Sequence, residues 1–124
     1  EQMIFTLRPD LKQYADMPAN KAKKAMAKAL AKAAKSGAAP AKPQIYLCTP
    51  IPAFKSTWNI NDSVIVNGVI PIQQEVAAKY GLKVIDLHTL FANDGDKMLF
   101  DGIHPDGKGA ARMADIIFGA LKAE

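Results

Sequence analysis

Gln44-Ile45-Tyr46-Leu47-Cys48-Thr49-Pro50-Ile51-Pro52 is the stretch on which the fold turns. Gln44–Cys48 is the clearest strand in the chain, a short apolar run bounded by turn-forming residues. Pro50 and Pro52 forbid its continuation inside a sheet, so a loop follows through Asn61. Beyond that loop, Asp62 or Ser63 is placed to cap a helix that starts at Val64 and runs to about Tyr80, with Pro71 kinking or splitting it. Gly81 suits the helix end, and Lys83-Val84-Ile85-Asp86-Leu87 is the next strand. A final helix from about Gly107 to Leu121 is expected to bury Ala110, Met113, Ala114, Ile117 and Leu121.

Upstream, Met3-Ile4-Phe5-Thr6-Leu7 is expected to be a buried strand stopped at Arg8-Pro9-Asp10. From about Asp10 to Lys35 the composition is helical, in two pieces divided near Pro18. Lys21, Lys24, Lys28, Lys32 and Lys35 form one stripe, with Ala22, Met26, Leu30 and Ala33 roughly opposite. Ser36-Gly37 ends the helix and Ala38–Pro43 is a low-complexity connector. Strands and helices thus alternate, and the strands are continuously apolar. That pattern predicts an α/β fold, a parallel sheet of about three strands with helices on both faces and right-handed crossovers. We expect one domain over residues 1–124, in which 1–43 holds the first strand, the Ala/Lys-rich helix and the linker.

The 124 residues suffice for one modest core, and 49% apolar with 23% charged is ordinary for a globular chain. No apolar run approaches the ~20 residues of a membrane span. The chain opens on Glu1 without a signal-peptide pattern, which reads as a processed or excised piece and leaves the compartment open. One cysteine excludes an internal disulfide, and two histidines with one cysteine give no zinc cluster. Asn93-Asp94-Gly95-Asp96 lacks calcium-loop spacing and reads as a turn, so no metal or cofactor is expected. Residues 1–43 carry nine Lys/Arg against three Asp/Glu, whereas residues 44–124 carry seven against nine. The basic excess belongs to one segment, so no nucleic-acid partner is expected.

In open parallel sheets, chemistry collects where strands end and loops begin. Residues 8–10, 49–61 and 87–106 lie at such ends. The last of these contains Asp101-Gly102-Ile103-His104-Pro105-Asp106-Gly107-Lys108-Gly109. An Asp and a His three residues apart on a turn allow the carboxylate to hold one imidazole nitrogen while the other faces outward, half of an acyl-transfer triad. The plainer reading is an Asx-rich turn in which Asp106 caps the last helix.

Four stretches, in this order, resemble the SGNH hydrolases, also called the GDSL-like lipase/acylhydrolase family: Ile45–Phe54, Glu75–Gly81, Val84–Leu87 and Phe100–Asp106. The resemblance covers about residues 44–121. It implies a flavodoxin-like parallel sheet and hydrolysis of acyl esters, often acetyl groups on sugars. It also implies His104 as general base and Asp101 as its orienting carboxylate. The family's Gly-Asp-Ser nucleophile block is absent. Its Gly-x-Asn-Asp oxyanion block would fall at the end of Met3–Leu7, where the chain reads Leu7-Arg8-Pro9-Asp10; Asn59-Ile60-Asn61-Asp62 lacks the glycine and follows another strand.

Ser36, Ser56 and Ser63 read as helix-terminal or loop residues, which leaves Cys48 at a strand end as the nearest substitute nucleophile; its alternative is a small buried apolar residue. Asp86 is expected to bond nearby backbone and His88 to be partly buried. Trp58 would line an acyl or sugar pocket, or fill the small core of its own loop. The resemblance therefore implies a small acyl-ester substrate, with the sheet edge at Met3–Leu7 left unpaired. A homo-oligomer or a complementing N-terminal segment is expected there. Two other functions stay open: a non-catalytic remnant of the fold acting in binding or assembly, and a cationic surface binder acting through Lys21–Lys35.

Overall fold

The computed structural model describes residues 1–37, 42–93 and 95–123. Most of the connector expected at Ala38–Pro43, and Asp94 of the expected turn, lie outside the described residues. The elements run α1 (Gln2–Leu7), a 3-10 helix (Pro9–Tyr14), α2 (Ala19–Ser36), β1 (Tyr46–Cys48), α3 (Asp62–Val64), a π-helical turn (Ile65–Val69), α4 (Ile70–Tyr80), β2 (Lys83–Ile85), α5 (Leu87–Ala92), a 3-10 helix (Gly95–Met98) and α6 (Gly107–Lys122). The class is mixed α/β, dominated by helices. β1 and β2 pair as a two-stranded parallel sheet. No helix among the described residues is long and apolar enough to cross a membrane.

The expected third strand is a helix. In Met3–Leu7 only Ile4 is buried, while Met3 is 79% exposed and Leu7 lies in water. Ile4, Leu11 and Tyr14 pack in one cluster with Ala22 and Tyr80. A five-residue apolar run serves a strand or a helix equally, and here one contact point per turn suffices for the core. The open sheet edge drawn from that strand goes with it. So does the placing of an oxyanion block at its end.

The residues form two compact units, Glu1–Tyr46 with Glu75–Lys83, and Leu47–Gln74 with Val84–Glu124. In the first, Phe5 meets Tyr80 edge to face, with ring centroids 5.7 Å apart. The Tyr80 hydroxyl donates to Glu1 Oε1 at 2.9 Å. Burial, then the Glu1 carboxylate, pushes that phenol up to about 12. α2 starts after Pro18, which supplies no helical N–H, and ends at Gly37 in the left-handed region, φ 64°. Its alanines bury little: Ala22 is fully buried and Met26 and Ala33 are half-buried, but Leu30, expected on the packed face, is exposed.

In the second unit, Asn61, not Asp62 or Ser63, caps α3 by accepting from Val64 N at 3.0 Å. The π turn at Ile65–Val69 then widens the helix just ahead of Pro71. Pro71 has no N–H to donate, and in a regular α-helix its ring would press on the carbonyl four residues back, so the wider turn resolves the expected kink. β2 stops at Ile85 because Asp86 caps α5, accepting from Thr89 N at 3.1 Å; Leu87 is thus helical and not in the strand. Phe91 is fully buried, and its ring leaves no room for a Cβ at Gly95, which would lie 2.7 Å from Cδ1. α6 buries Gly109 and Ile116, with Met113 and Ile117 half-buried. Ala110, Ala114 and Leu121, expected in the core, are exposed.

Candidate active site

The segment Leu99–Asp106 folds back on itself in front of α6. Leu99 and Pro105 form an antiparallel bridge, Phe100 N donates to His104 O at 3.2 Å, and Asp106 N donates to Met98 O at 2.9 Å. Gly102 sits at the bend with φ 90°, a conformation that disfavours other residues, and the Lys55 side chain lies where a Cβ would project. Asp106 caps α6, its carboxylate accepting from Gly109 N at 2.8 Å. The base of the turn is therefore fixed by a helix start and its top by a glycine.

Within this frame Asp101 holds three donors. Oδ1 accepts from Ile103 N at 3.0 Å and His104 N at 2.7 Å, an Asx turn that fixes the backbone. Oδ2 lies 2.6 Å from His104 Nδ1. A carboxylate there assigns the proton to Nδ1 and leaves Nε2 as the outward acceptor. Partial desolvation pushes the Asp101 carboxyl up, but the bonds from the His104 ring and the two amides outweigh it and hold the group down at about 2. The histidine side chain is 52% exposed and that of Asp101 27%. Among the described residues no hydroxyl or thiol is hydrogen-bonded to Nε2.

Two aromatic rings flank this imidazole. Phe100 stacks on it, with centroids 5.8 Å apart and planes 17° apart, and Trp58 meets it at 6.3 Å and 62°. Sequence reasoning named Trp58 but gave Phe100 no role, although it sits one residue before Asp101 in the quoted motif. Trp58 does not fill its own loop, because its side chain stands in water.

Cys48 ends β1 half-buried, and its carbonyl accepts from Gln73 Nε2 at 3.1 Å. Its thiol makes no hydrogen bond among the described residues. Asp86 bonds Thr89 N and also Thr49 Oγ1 at 3.2 Å, while Thr49 Oγ1 accepts from His88 N at 2.9 Å. His88, half-buried, places Nε2 2.9 Å from Asp62 Oδ1. That carboxylate oxygen also accepts from Ala53 N at 3.0 Å. Desolvation opposes ionisation of Asp62, but His88 and the Ala53 amide bring it below the usual carboxylate value. This second His–Asp pair joins residues 26 apart in sequence, and no local spacing announces it. Asn61 and Asp62 are thus committed to a helix cap and a loop tie.

The family model for GDSL-like Lipase/Acylhydrolase matches residues 8–117. An acetylxylan esterase of Xylanibacter ruminicola is 60% identical over 122 residues, covering 98% of this chain and 23% of that protein. The chain therefore spans under a quarter of the length of that curated relative. No solved structure matches it.

Proposed function

The chain belongs to the GDSL-like lipase/acylhydrolase family, and from that membership we propose that it carries the acid–base half of an ester hydrolase acting on acetyl esters. In this reading His104 Nε2 takes the proton from a serine hydroxyl as that oxygen attacks the ester carbonyl. It then returns the proton to the departing alcohol oxygen as the tetrahedral adduct collapses to an acyl-serine. Water, deprotonated by the same nitrogen, releases the acid and restores the hydroxyl. Asp101 stays ionised throughout, holding the tautomer and stabilising the imidazolium that each step forms. The single observation that supports the assignment is the 2.6 Å contact between Asp101 Oδ2 and His104 Nδ1, on a histidine whose side chain is 52% exposed.

The nucleophile and the oxyanion donors come, in this proposal, from outside these 124 residues: from another part of a longer polypeptide or from a companion chain. β1 and β2 would then be two strands of a larger parallel sheet of the flavodoxin type, and the turn bearing His104 would lie at its strand ends. The acetyl-ester substrate is proposed by analogy with the acetylxylan esterase of Xylanibacter ruminicola.

The test is complementation. The chain, alone and mixed with the remaining portion of the acetylxylan esterase relative, is assayed on 4-nitrophenyl acetate. Activity should arise only in the mixture and vanish with His104→Ala or Asp101→Ala. A mixture equally active with His104→Ala would overturn the assignment.

A further inference from the structure

Trp58 is 78% exposed and Phe100 73% exposed, although rings of this size gain more than any other side chain from leaving water. Trp58 is also held out by strained backbone. Trp58 and Asn59 are the two non-glycine residues with positive φ among the described residues, at 49° and 65°. They form the tip of a tight turn closed by Thr57 N donating to Ile60 O at 3.0 Å and Ile60 N donating to Thr57 O at 2.8 Å. A turn with positive φ at both central positions favours Asn-Gly, and a tryptophan at its first position is costly.

The surrounding loop does not leave that tip free to relax. Phe54 N donates to Gly102 O at 2.9 Å, beside Asp101. Ala53 N is held by Asp62, which His88 holds in turn. Strain retained in a tied loop, for the sake of an indole standing in water beside an imidazole, is an outlier that points to a ligand.

We infer that Trp58 and Phe100 form a carbohydrate-stacking subsite, which seats the sugar ring carrying the ester so that its ester oxygen lies within reach of His104 Nε2. The inference rests on the proposed esterase reading for the ester but not for the sugar. A pyranose ring offers a face of C–H groups to an aromatic plane while its hydroxyls stay in water, which suits two open rings beside a polar imidazole. An alkyl chain would need an enclosed apolar wall to leave water. Here both rings are mostly solvent-exposed and lie beside the polar Asp101–His104 pair.

The chain's one tryptophan makes the test direct, since its fluorescence reports position 58 alone. Titration with xylotriose, which carries no ester, should give a saturable blue shift and move the His104 ring resonances. Trp58→Ala, followed through those His104 resonances with circular dichroism as the fold control, should weaken binding about tenfold. Trp58→Phe should recover most of it. No saturable response to xylotriose overturns the subsite, whether or not the complemented protein hydrolyses 4-nitrophenyl acetate. A response confined to octanoate or dodecanoate overturns it too, in favour of an acyl-chain site. Saturable xylotriose binding in a chain that never supports hydrolysis leaves the subsite standing and removes only the esterase reading.

Discussion

Replacing Gly109 with alanine should destabilise the protein although it adds a good helix former. A Cβ at position 109 would lie 2.5 Å from Met98 O and 2.9 Å from Pro105 Cβ. Ordinary contact begins at 3.4 Å, so the carbonyl must retreat by roughly 0.9 Å. The same carbonyl accepts from Asp106 N, the bond that fixes the foot of the His104 turn. Overpacking of this kind costs ~1–3 kcal/mol and a weakened backbone bond ~1 kcal/mol, against ~1 kcal/mol gained by exchanging glycine for alanine in a helix. The net loss is about 2 kcal/mol. Gly119, in the same helix with nothing within 4 Å of its Cβ position, supplies the control. Gly119→Ala should stabilise by ~1 kcal/mol. Urea denaturation followed by far-ultraviolet circular dichroism reads both, and the two variants should move the midpoint in opposite directions. If Gly109→Ala proves as stable as Gly119→Ala, the close seating of α6 on Met98 is wrong, and with it the account of what positions His104.

Other outcomes follow from the same contacts. Asp101→Asn keeps an oxygen for the two amides but sets an NH2 group against Nδ1, so the ring proton should move to Nε2. Nitrogen-15 shifts of the imidazole would show the exchange, and complemented esterase activity should fall on the order of ten-thousand-fold. In His104→Ala the Asp101 carboxyl, released from the ring, should titrate above its present value of about 2. Because the folded value is the depressed one, the contact stabilises fully above the unfolded pKa and is lost as pH falls through about 2; carboxyl carbon shifts against pH would record both variants. Phe91→Ala empties a fully buried site and should cost about 3–5 kcal/mol, read as a lowered urea midpoint.

Local chemistry was legible in the sequence where it is complete within a few residues. The Asp101–His104 spacing, the Asp106 cap and the separate runs of β1 and β2 all belong to that class, because each is fixed by a turn, a helix start or a run between breakers. Met3–Leu7 was not legible, since five apolar residues carry no period and their burial depends on Leu11, Tyr14 and Tyr80 elsewhere in the chain. α5 hid behind an apolar run shared with β2. Its one signal was Asp86 placed three residues before Thr89, the offset at which a side-chain cap reaches a backbone amide. The Asp62–His88 tie and the Trp58 ring beside His104 depend on where a long loop returns, which no spacing records. The core face of α6 was misphased by about one residue, because glycine at 109 invites closer approach than any hydrophobic pattern suggests.

The wide turn at Ile65–Val69 has a consequence for how this helix can change over generations. One surplus residue held in a single wide turn is absorbed where it sits, whereas the same residue in a regular helix would rotate everything after it by about 100°. The sides presented by Asp62 and by Gln73 therefore stay in step across the bulge: a single-codon deletion inside it would leave a uniform spiral that still aims Gln73 at the Cys48 carbonyl, while one elsewhere in the helix ahead of Gln73 would swing it away. Single-residue length variation among related chains should accordingly be better tolerated within this short span than elsewhere in the same helix.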